Sequence, residues 1–121
     1  MPRIRVFHCD DSPAFTRLVR LWLDDHEEFE HVGAAHTGPD ALEAIPGAQP
    51  DVVLLDTMGS PGDQSLLSAI RDRCPATRVV VLSGYLSLVG EGELGDAADG
   101  YLAKGDDEAA LVTMLRAVTA R

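Results

Sequence analysis

The stretch Asp51–Asp56, with the sequence DVVLLD, indicates the architecture of the whole chain. Four consecutive aliphatic residues without polar alternation are typical of a strand covered on both faces, as in a parallel sheet flanked by helices. Ligands of such sheets bind beyond the carboxyl ends of the strands. Asp56 is therefore expected at that edge of a sheet, where its carboxylate can meet groups from neighbouring strands.

Strand-like runs alternate with helix-like segments along the chain. The predicted strands are Ile4–Phe7, a run within Phe29–His36, Val52–Leu55, Val79–Leu82 and Gly100–Leu102. This alternation implies a parallel sheet with right-handed crossovers. We predict an α/β fold: an open, doubly wound, five-stranded parallel sheet with helices on both faces, of the flavodoxin-like type. With 121 residues the chain is expected to form one domain, residues 1–121, because a closed eight-unit barrel needs about twice that length.

Local signals define the helices. Ser12 as N-cap and Pro13 at the first helical position begin the first one. Its apolar stripe is predicted to comprise Phe15, Leu18, Val19 and Trp22. A second helix opens at Thr37 and is expected to stop at Pro46-Gly47. The third and last helices are marked by Leu66, Leu67, Ile70 and Cys74, and by Leu111, Met114, Leu115 and Val118.

Composition excludes several functional classes. The chain has 10 Lys and Arg against 20 Asp and Glu, a formal charge of −10, which argues against direct binding of nucleic acid or of an anionic membrane by this domain. Cys9 and Cys74 are too few for a disulfide framework or a zinc site and fit a reducing compartment. No signal peptide or membrane span is apparent. We therefore predict a cytoplasmic protein with no membrane partner.

Polar side chains follow the ends of four predicted strands: Asp10 and Asp11, Asp56, Ser83, and Lys104. Taken singly, each fits a turn, a helix cap or a surface charge. Together at one edge of a sheet, three carboxylates repel one another and favour a cation, and their hard oxygen ligands suit Mg²⁺. A hydroxyl and an ammonium can bind phosphoryl oxygens, and a carboxylate can itself become an aspartyl phosphate. The pattern indicates phosphoryl transfer.

The four motifs, in this order, resemble the receiver domain of two-component response regulators over essentially the whole chain. They are Asp10-Asp11-Ser12-Pro13, Val53-Leu54-Leu55-Asp56, Val80-Val81-Leu82-Ser83-Gly84 and Ala98-Asp99-Gly100-Tyr101-Leu102-Ala103-Lys104. The separation of 45 residues between Asp11 and Asp56 also matches the family. Gly-Tyr-Leu-x-Lys is most similar to the subgroup with helix-turn-helix DNA-binding outputs.

The resemblance implies a role for each residue. Asp56 would be the phosphoacceptor, and Asp10, Asp11, Asp56 and the backbone carbonyl of Met58 would bind Mg²⁺. Ser83 and Lys104 would bind the phosphoryl oxygens. Ser83 would then shift toward the phosphate and Tyr101 would turn inward; alternatively, Tyr101 is simply a half-buried core aromatic. The implied phosphodonor is a sensor histidine kinase, and the implied signalling face, formed by the fourth helix, fifth strand and fifth helix, allows a homodimer.

Two regions depart from the family pattern and support another hypothesis. Pro61 comes one place later than usual after the acceptor, and Gly90, Gly92 and Gly95 predict a short or distorted helix within Tyr85–Asp99. The alternative to a phosphorylated switch is thus a docking or dimerisation module of the same fold. An aspartyl phosphatase of the haloacid dehalogenase type is disfavoured, because Met58 stands where that family has a second Asp. Beyond its own phosphorylation and dephosphorylation, we predict no enzymatic activity.

The histidines carry no clear chemical signal. His8-x-Asp10 resembles half of a transition-metal site, but no second histidine lies at ligand spacing. Scattered surface or strand positions are therefore the preferred interpretation of His8, His26, His31 and His36.

Overall fold

Five parallel strands form one sheet in the order β2-β1-β3-β4-β5. They are β1 (Ile4–Cys9), β2 (Phe29–Ala35), β3 (Val52–Asp56), β4 (Arg78–Ser83) and β5 (Gly100–Ala103). The computed structural model describes residues 3–56, 64–83, 98–103 and 105–120, with the backbone alone at 64, 65 and 83. The predicted five-stranded parallel sheet is confirmed. The predicted helix within Tyr85–Asp99 lies, except for its last two residues, outside the described residues.

Helices cover both faces of this sheet. They are α1 (Pro13–Asp24), α2 (Gly38–Ala48), α3 (Gln64–Arg73) and the C-terminal helix (Glu108–Thr119). What we call the α2–α3 face of the sheet packs on one apolar cluster, to which the strands contribute Phe7, Cys9, Ala35, Val53, Leu55, Val79 and Val81. The α1 face, covered by α1 and the C-terminal helix, packs on a second cluster, to which they contribute Val6, Phe29, Val52, Leu54, Val80, Leu82 and Leu102. The doubly wound architecture is confirmed.

The first helix begins as predicted, but its buried stripe differs. The Ser12 hydroxyl accepts a hydrogen bond from the Phe15 N–H at 3.2 Å, and Pro13 occupies the first turn. Thr16, Val19 and Leu23 are the buried positions of α1. Leu18, which the stripe was expected to include, is 41% exposed, so that part of the prediction is wrong. Leu23 lies seven residues after Thr16 and takes the place on the buried face instead.

Two boundaries were predicted too early. Pro46 does not stop α2, which continues to Ala48 and ends at Gln49, a residue in the left-handed conformation with φ 49°. Proline removes its own N–H but leaves later N–H groups able to bond, and Gln49 donates to the Ile45 carbonyl at 3.0 Å. Likewise β1 runs past Phe7 to Cys9, because His8 and Cys9 pair with both β2 and β3.

Candidate functional site

Three carboxylates converge at the carboxyl ends of β1 and β3. Cys9 is level with Leu55 across these neighbouring strands, so the residues that follow, Asp10 and Asp56, arrive at the same edge. One oxygen each of Asp10, Asp11 and Asp56 lies within 4.8 Å of the others. Asp10 is fully buried and Asp56 is 6% exposed, whereas Asp11 is open to solvent. The sequence-based prediction that these three side chains meet agrees with this geometry.

The backbone fixes Asp10 on two sides. Its N–H donates to the Ala35 carbonyl at 3.0 Å, which extends the pairing of β1 with β2 by one residue. Its Oδ1 accepts from the Ser12 N–H at 2.9 Å. Because Ser12 is also the N-cap of α1, the turn that starts this helix orients the Asp10 carboxylate at the same time.

The chemistry of this cluster suits a small divalent cation. Three carboxylates at such distances repel one another, and burial of two of them strengthens that repulsion. Hard oxygen ligands with one side open to water are the donor set that Mg²⁺ prefers, since it retains several of its waters. Among the described residues, these three are the one group of acidic, histidine or cysteine side chains with metal-compatible spacing.

The other predicted site residues are only partly described. Ser83 ends β4 and pairs with Ala103 of β5, which places its backbone at the same edge of the sheet. Met58 and Lys104 lie outside the described residues, so their predicted roles stay predictions. Tyr101 is half-buried, pairs with Val81 and packs against the cluster on the α2–α3 face.

His8 is a buried neighbour of the site that the sequence analysis missed. It is fully buried, and its Nε2 lies 3.6 Å from Asp10 Oδ2. The edge of its ring meets Phe15 of α1, with ring centroids 5.5 Å apart. The missed signal was spacing: residues two apart in a strand share a face, so a strand that continues through His8 brings it beside Asp10.

A second polar cluster links the loop after α1 to the C-terminal helix. His26 Nε2 lies 2.8 Å from Glu108 Oε2, and Glu28 forms a forked ion pair with the Arg116 guanidinium. The hydrogen bond from Arg116 lowers the pKa of the Glu28 carboxyl and raises the pKa of Arg116. Beside them lies an open groove of about 430 Å³. These partly exposed pairs join two surface elements, and neither pair includes a residue of the Asp10, Asp11 and Asp56 cluster.

Comparison with known proteins gives consistent matches. The family model of the response regulator receiver domain matches residues 6–116. Protein-glutamate methylesterase/protein-glutamine glutaminase 5 of Myxococcus xanthus is 41% identical over 97 residues, which are 78% of this chain and 27% of that protein. The transcriptional regulatory protein TrcR of Mycobacterium tuberculosis is 33% identical over 120 residues, 98% of this chain and 46% of that protein. The chain thus spans less than half the length of these curated relatives.

Solved structures agree with the sequence matches. The signal receiver domain of the response regulator NarL from Mycobacterium tuberculosis superimposes with a TM-score of 0.85 at 30% identity, and the match covers 100% of both chains. In the part of the chain that the structure describes, no helix combines the length and the apolar character that crossing a membrane requires.

Proposed function

This chain belongs to the response regulator receiver family, and on that premise we propose that Asp56 accepts the phosphoryl group that operates it as a switch. A receiver domain is the phosphorylation-dependent switch of a two-component system, and the chain is such a domain. The observation that supports Asp56 is the meeting of its buried carboxylate with those of Asp10 and Asp11 at one edge of the sheet.

The reaction needs one nucleophile and neutralisation of charge. An Asp56 carboxylate oxygen attacks the phosphorus of a phosphohistidine on a sensor histidine kinase, or of a small acyl phosphate. The new P–O bond forms while the P–N or P–O bond of the donor breaks, and its electron pair leaves with the donor atom. Hydrolysis by water later returns the carboxylate. Beyond these two reactions on its own Asp56, we propose no enzymatic activity for this domain.

The residues that would hold Mg²⁺ follow from the donor set. Asp10, Asp11 and Asp56 offer carboxylate oxygens, and we assign the backbone carbonyl of Met58 as a further ligand by family resemblance. When bound, Mg²⁺ neutralises the charge that builds up on the phosphoryl oxygens. Asp10 is held for this task by the Ser12 N–H, and Asp11 keeps its carboxylate toward water.

The proposed readout runs through β4 and β5. Ser83 and Lys104 would bind phosphoryl oxygens, so phosphorylation would shift the end of β4. Tyr101 would follow by turning inward. The position of Tyr101 supports this role. Tyr101 is half-buried in β5 and pairs with Val81 of β4, which lies two residues before Ser83. Such a two-state element, biased by a local change of charge, can alter a distant surface.

The partners follow from the family and the charge. Receiver domains interact with histidine kinases, and some form dimers. We propose a kinase as the donor, and a homodimer through the face formed by the predicted fourth helix, β5 and the C-terminal helix. The net charge of −10 supports an absence of direct DNA contact by this domain, and a cytoplasmic location accords with a kinase partner. The docking alternative is not favoured, because the whole carboxylate cluster is present.

Phosphoryl incorporation tests this proposal. Wild type incubated with Mg²⁺ and acetyl phosphate should gain the mass of one phosphoryl group, measured on the intact protein. Asp56→Asn should gain none, because an amide is not a competent nucleophile here. Asp72→Asn, which changes an exposed carboxylate on α3, is the matched control and should gain mass as wild type does. Equal incorporation in Asp56→Asn, or none in wild type, would contradict the assignment.

A further inference from the structure

His8 is a buried polar residue for which the chemistry proposed above has no use. Its side chain is 0% exposed, and neither ring nitrogen has a hydrogen-bond partner among the described residues. A buried polar group in that condition costs about 1–3 kcal/mol, whereas an aliphatic side chain would suit this apolar face. Packing alone therefore does not account for a histidine at this position in β1.

Among the described residues, the charged group at short range from this ring is the Asp10 carboxylate. Nε2 lies 3.6 Å from Asp10 Oδ2, and the edge-on contact with Phe15 restricts rotation of the ring. A carboxylate oxygen only accepts, so a hydrogen bond between these atoms requires the ring proton on Nε2. The separation of 3.6 Å exceeds the usual limit for an N–H···O bond by about 0.4 Å, so the hydrogen bond requires a small movement of the Asp10 carboxylate toward the ring.

The two carboxylate oxygens of Asp10 contact different groups. Oδ1 is tied to the Ser12 N–H at 2.9 Å, and Oδ2 faces His8. Each oxygen has two lone pairs, so both contacts leave lone pairs for a metal. A hydrogen bond at Oδ2 in addition to the one at Oδ1 fixes the plane of the carboxylate more firmly than the bond at Oδ1 does.

We propose that His8 is a positioning residue for the metal site: its Nε2–H donates to Asp10 Oδ2 and fixes the carboxylate in the orientation that binds a divalent cation. This inference rests on the proposed function of the Asp10, Asp11 and Asp56 cluster. Partners of ligating carboxylates typically change metal affinity by about 10–100-fold when removed. Because the separation of 3.6 Å between Nε2 and Oδ2 is longer than a hydrogen bond, we expect the low end of that range.

Three substitutions separate positioning from packing. His8→Leu removes the donor and suits the apolar face, so it should weaken Mg²⁺ binding by about tenfold while the protein stays folded. His8→Gln restores an N–H donor at similar reach and should return the affinity to within about threefold of wild type. His31→Leu is the matched control. His31 also lies on the α1 face, and its buried Nε2 has no hydrogen-bond partner in the described part of the chain, but it belongs to β2 and does not lie beside Asp10.

Calorimetric titration with Mg²⁺ at one fixed pH, without a phosphodonor, measures the affinities. Nuclear magnetic resonance gives an independent signature, because Mg²⁺ should shift the His8 Nε2 and Ser12 amide signals together. In His8→Leu the Ser12 amide should respond only at the higher Mg²⁺ concentrations. Wild-type affinity in folded His8→Leu, or equal weakening in His31→Leu, would overturn the positioning role.

The same titration distinguishes this inference from the proposed function. Binding by wild type together with unchanged binding in His8→Leu would overturn the role of His8 alone and leave the carboxylate site standing. Absence of Mg²⁺ binding in wild type would overturn both.

Discussion

Both faces of the sheet bury an apolar cluster, but they differ at the carboxyl ends of β1 and β3. There the α1 face carries the buried polar residues His8, Asp10 and Asp56, whereas on the α2–α3 face the same strands end in the apolar residues Cys9 and Leu55. Strand alternation produces this separation. Val52 and Leu54 lie on the α1 face, so Asp56 falls there, while Val53 and Leu55 point the other way. Neighbouring residues of one strand thus serve two different tasks.

This difference indicates how the fold stays stable although it buries acidic side chains. Burial of repelling carboxylates is unfavourable without a cation, so the fold must be stabilised elsewhere. The α2–α3 face supplies apolar burial from side chains, such as Leu67 and Val79, that have no role in the proposed site. Tyr101 packs on that face, so the proposed readout lies across the sheet from the proposed acceptor.

The largest expected effect on stability is on the α2–α3 face. Leu67 of α3 is 1% exposed within the apolar cluster, so Leu67→Ala should lower the free energy of unfolding by about 2–5 kcal/mol through lost burial and a cavity. Leu21→Ala, at a side chain of α1 that is 58% exposed, should change it by at most about 0.5 kcal/mol. Urea denaturation measures both. A loss below about 1 kcal/mol in Leu67→Ala would remove the stabilising role assigned to this face.

On the α1 face we expect a substitution in the carboxylate cluster to increase the free energy of unfolding. Asp10→Asn keeps an oxygen for the Ser12 N–H but removes one of three converging charges, so without Mg²⁺ it should raise the free energy of unfolding by about 1 kcal/mol. Wild type should gain stability on adding Mg²⁺, and the variant should gain much less. Denaturation with chelator and with Mg²⁺ provides the measurement. A variant less stable than wild type in chelator would show that repulsion is not what Asp10 contributes.

His31, also on the α1 face, is expected to have a smaller effect, on the pH dependence of the free energy of unfolding. Burial lowers the pKa of His31 from its ordinary 6.5; Arg20 and His8 nearby act in the same direction, while Asp24 opposes them. The unfolded chain therefore binds the proton more readily than the folded protein. As a result, His31 does not reduce the free energy of unfolding above about pH 6.5, but reduces it as the pH falls from there through the folded pKa.

Comparison of His31→Gln with wild type tests whether protonation of His31 lowers the free energy of unfolding. The difference in free energy of unfolding between the two should be constant near pH 8 and should shift in favour of the variant as the solution is acidified. Taking the difference between the two free energies of unfolding at each pH removes the contribution of the histidines that both proteins share. A difference that does not vary with pH would contradict the lowered pKa of His31.

Sequence reasoning anticipated the sheet and the acidic cluster for a physical reason. Continuous aliphatic runs such as Val52–Leu55 are stable when both faces of the strand are covered, and parallel strands bring their carboxyl ends together. Asp10, Asp11 and Asp56 could therefore be placed at one edge of the sheet from the sequence. The family resemblance then named their roles.

The remaining details depended on packing that the sequence pattern does not display. Leu18 fits a helical stripe, but the rotation of α1 on the sheet buries Leu23 instead. Pro46 is a strong stop signal, but in the last turn of α2 it removes only one hydrogen bond. His8 looked like a strand end, and only pairing on both sides of β1 shows that it is buried beside Asp10.

The most direct test of the central claim is to locate the phosphoryl group chemically. Wild type is phosphorylated with Mg²⁺ and acetyl phosphate, the acyl phosphate is reduced with borohydride to homoserine, and peptide mass spectrometry identifies the converted residue. The structure predicts homoserine at position 56 alone, since Asp56 ends β3 within the carboxylate cluster. Conversion at Asp10 or Asp11, or at no aspartate, would contradict it.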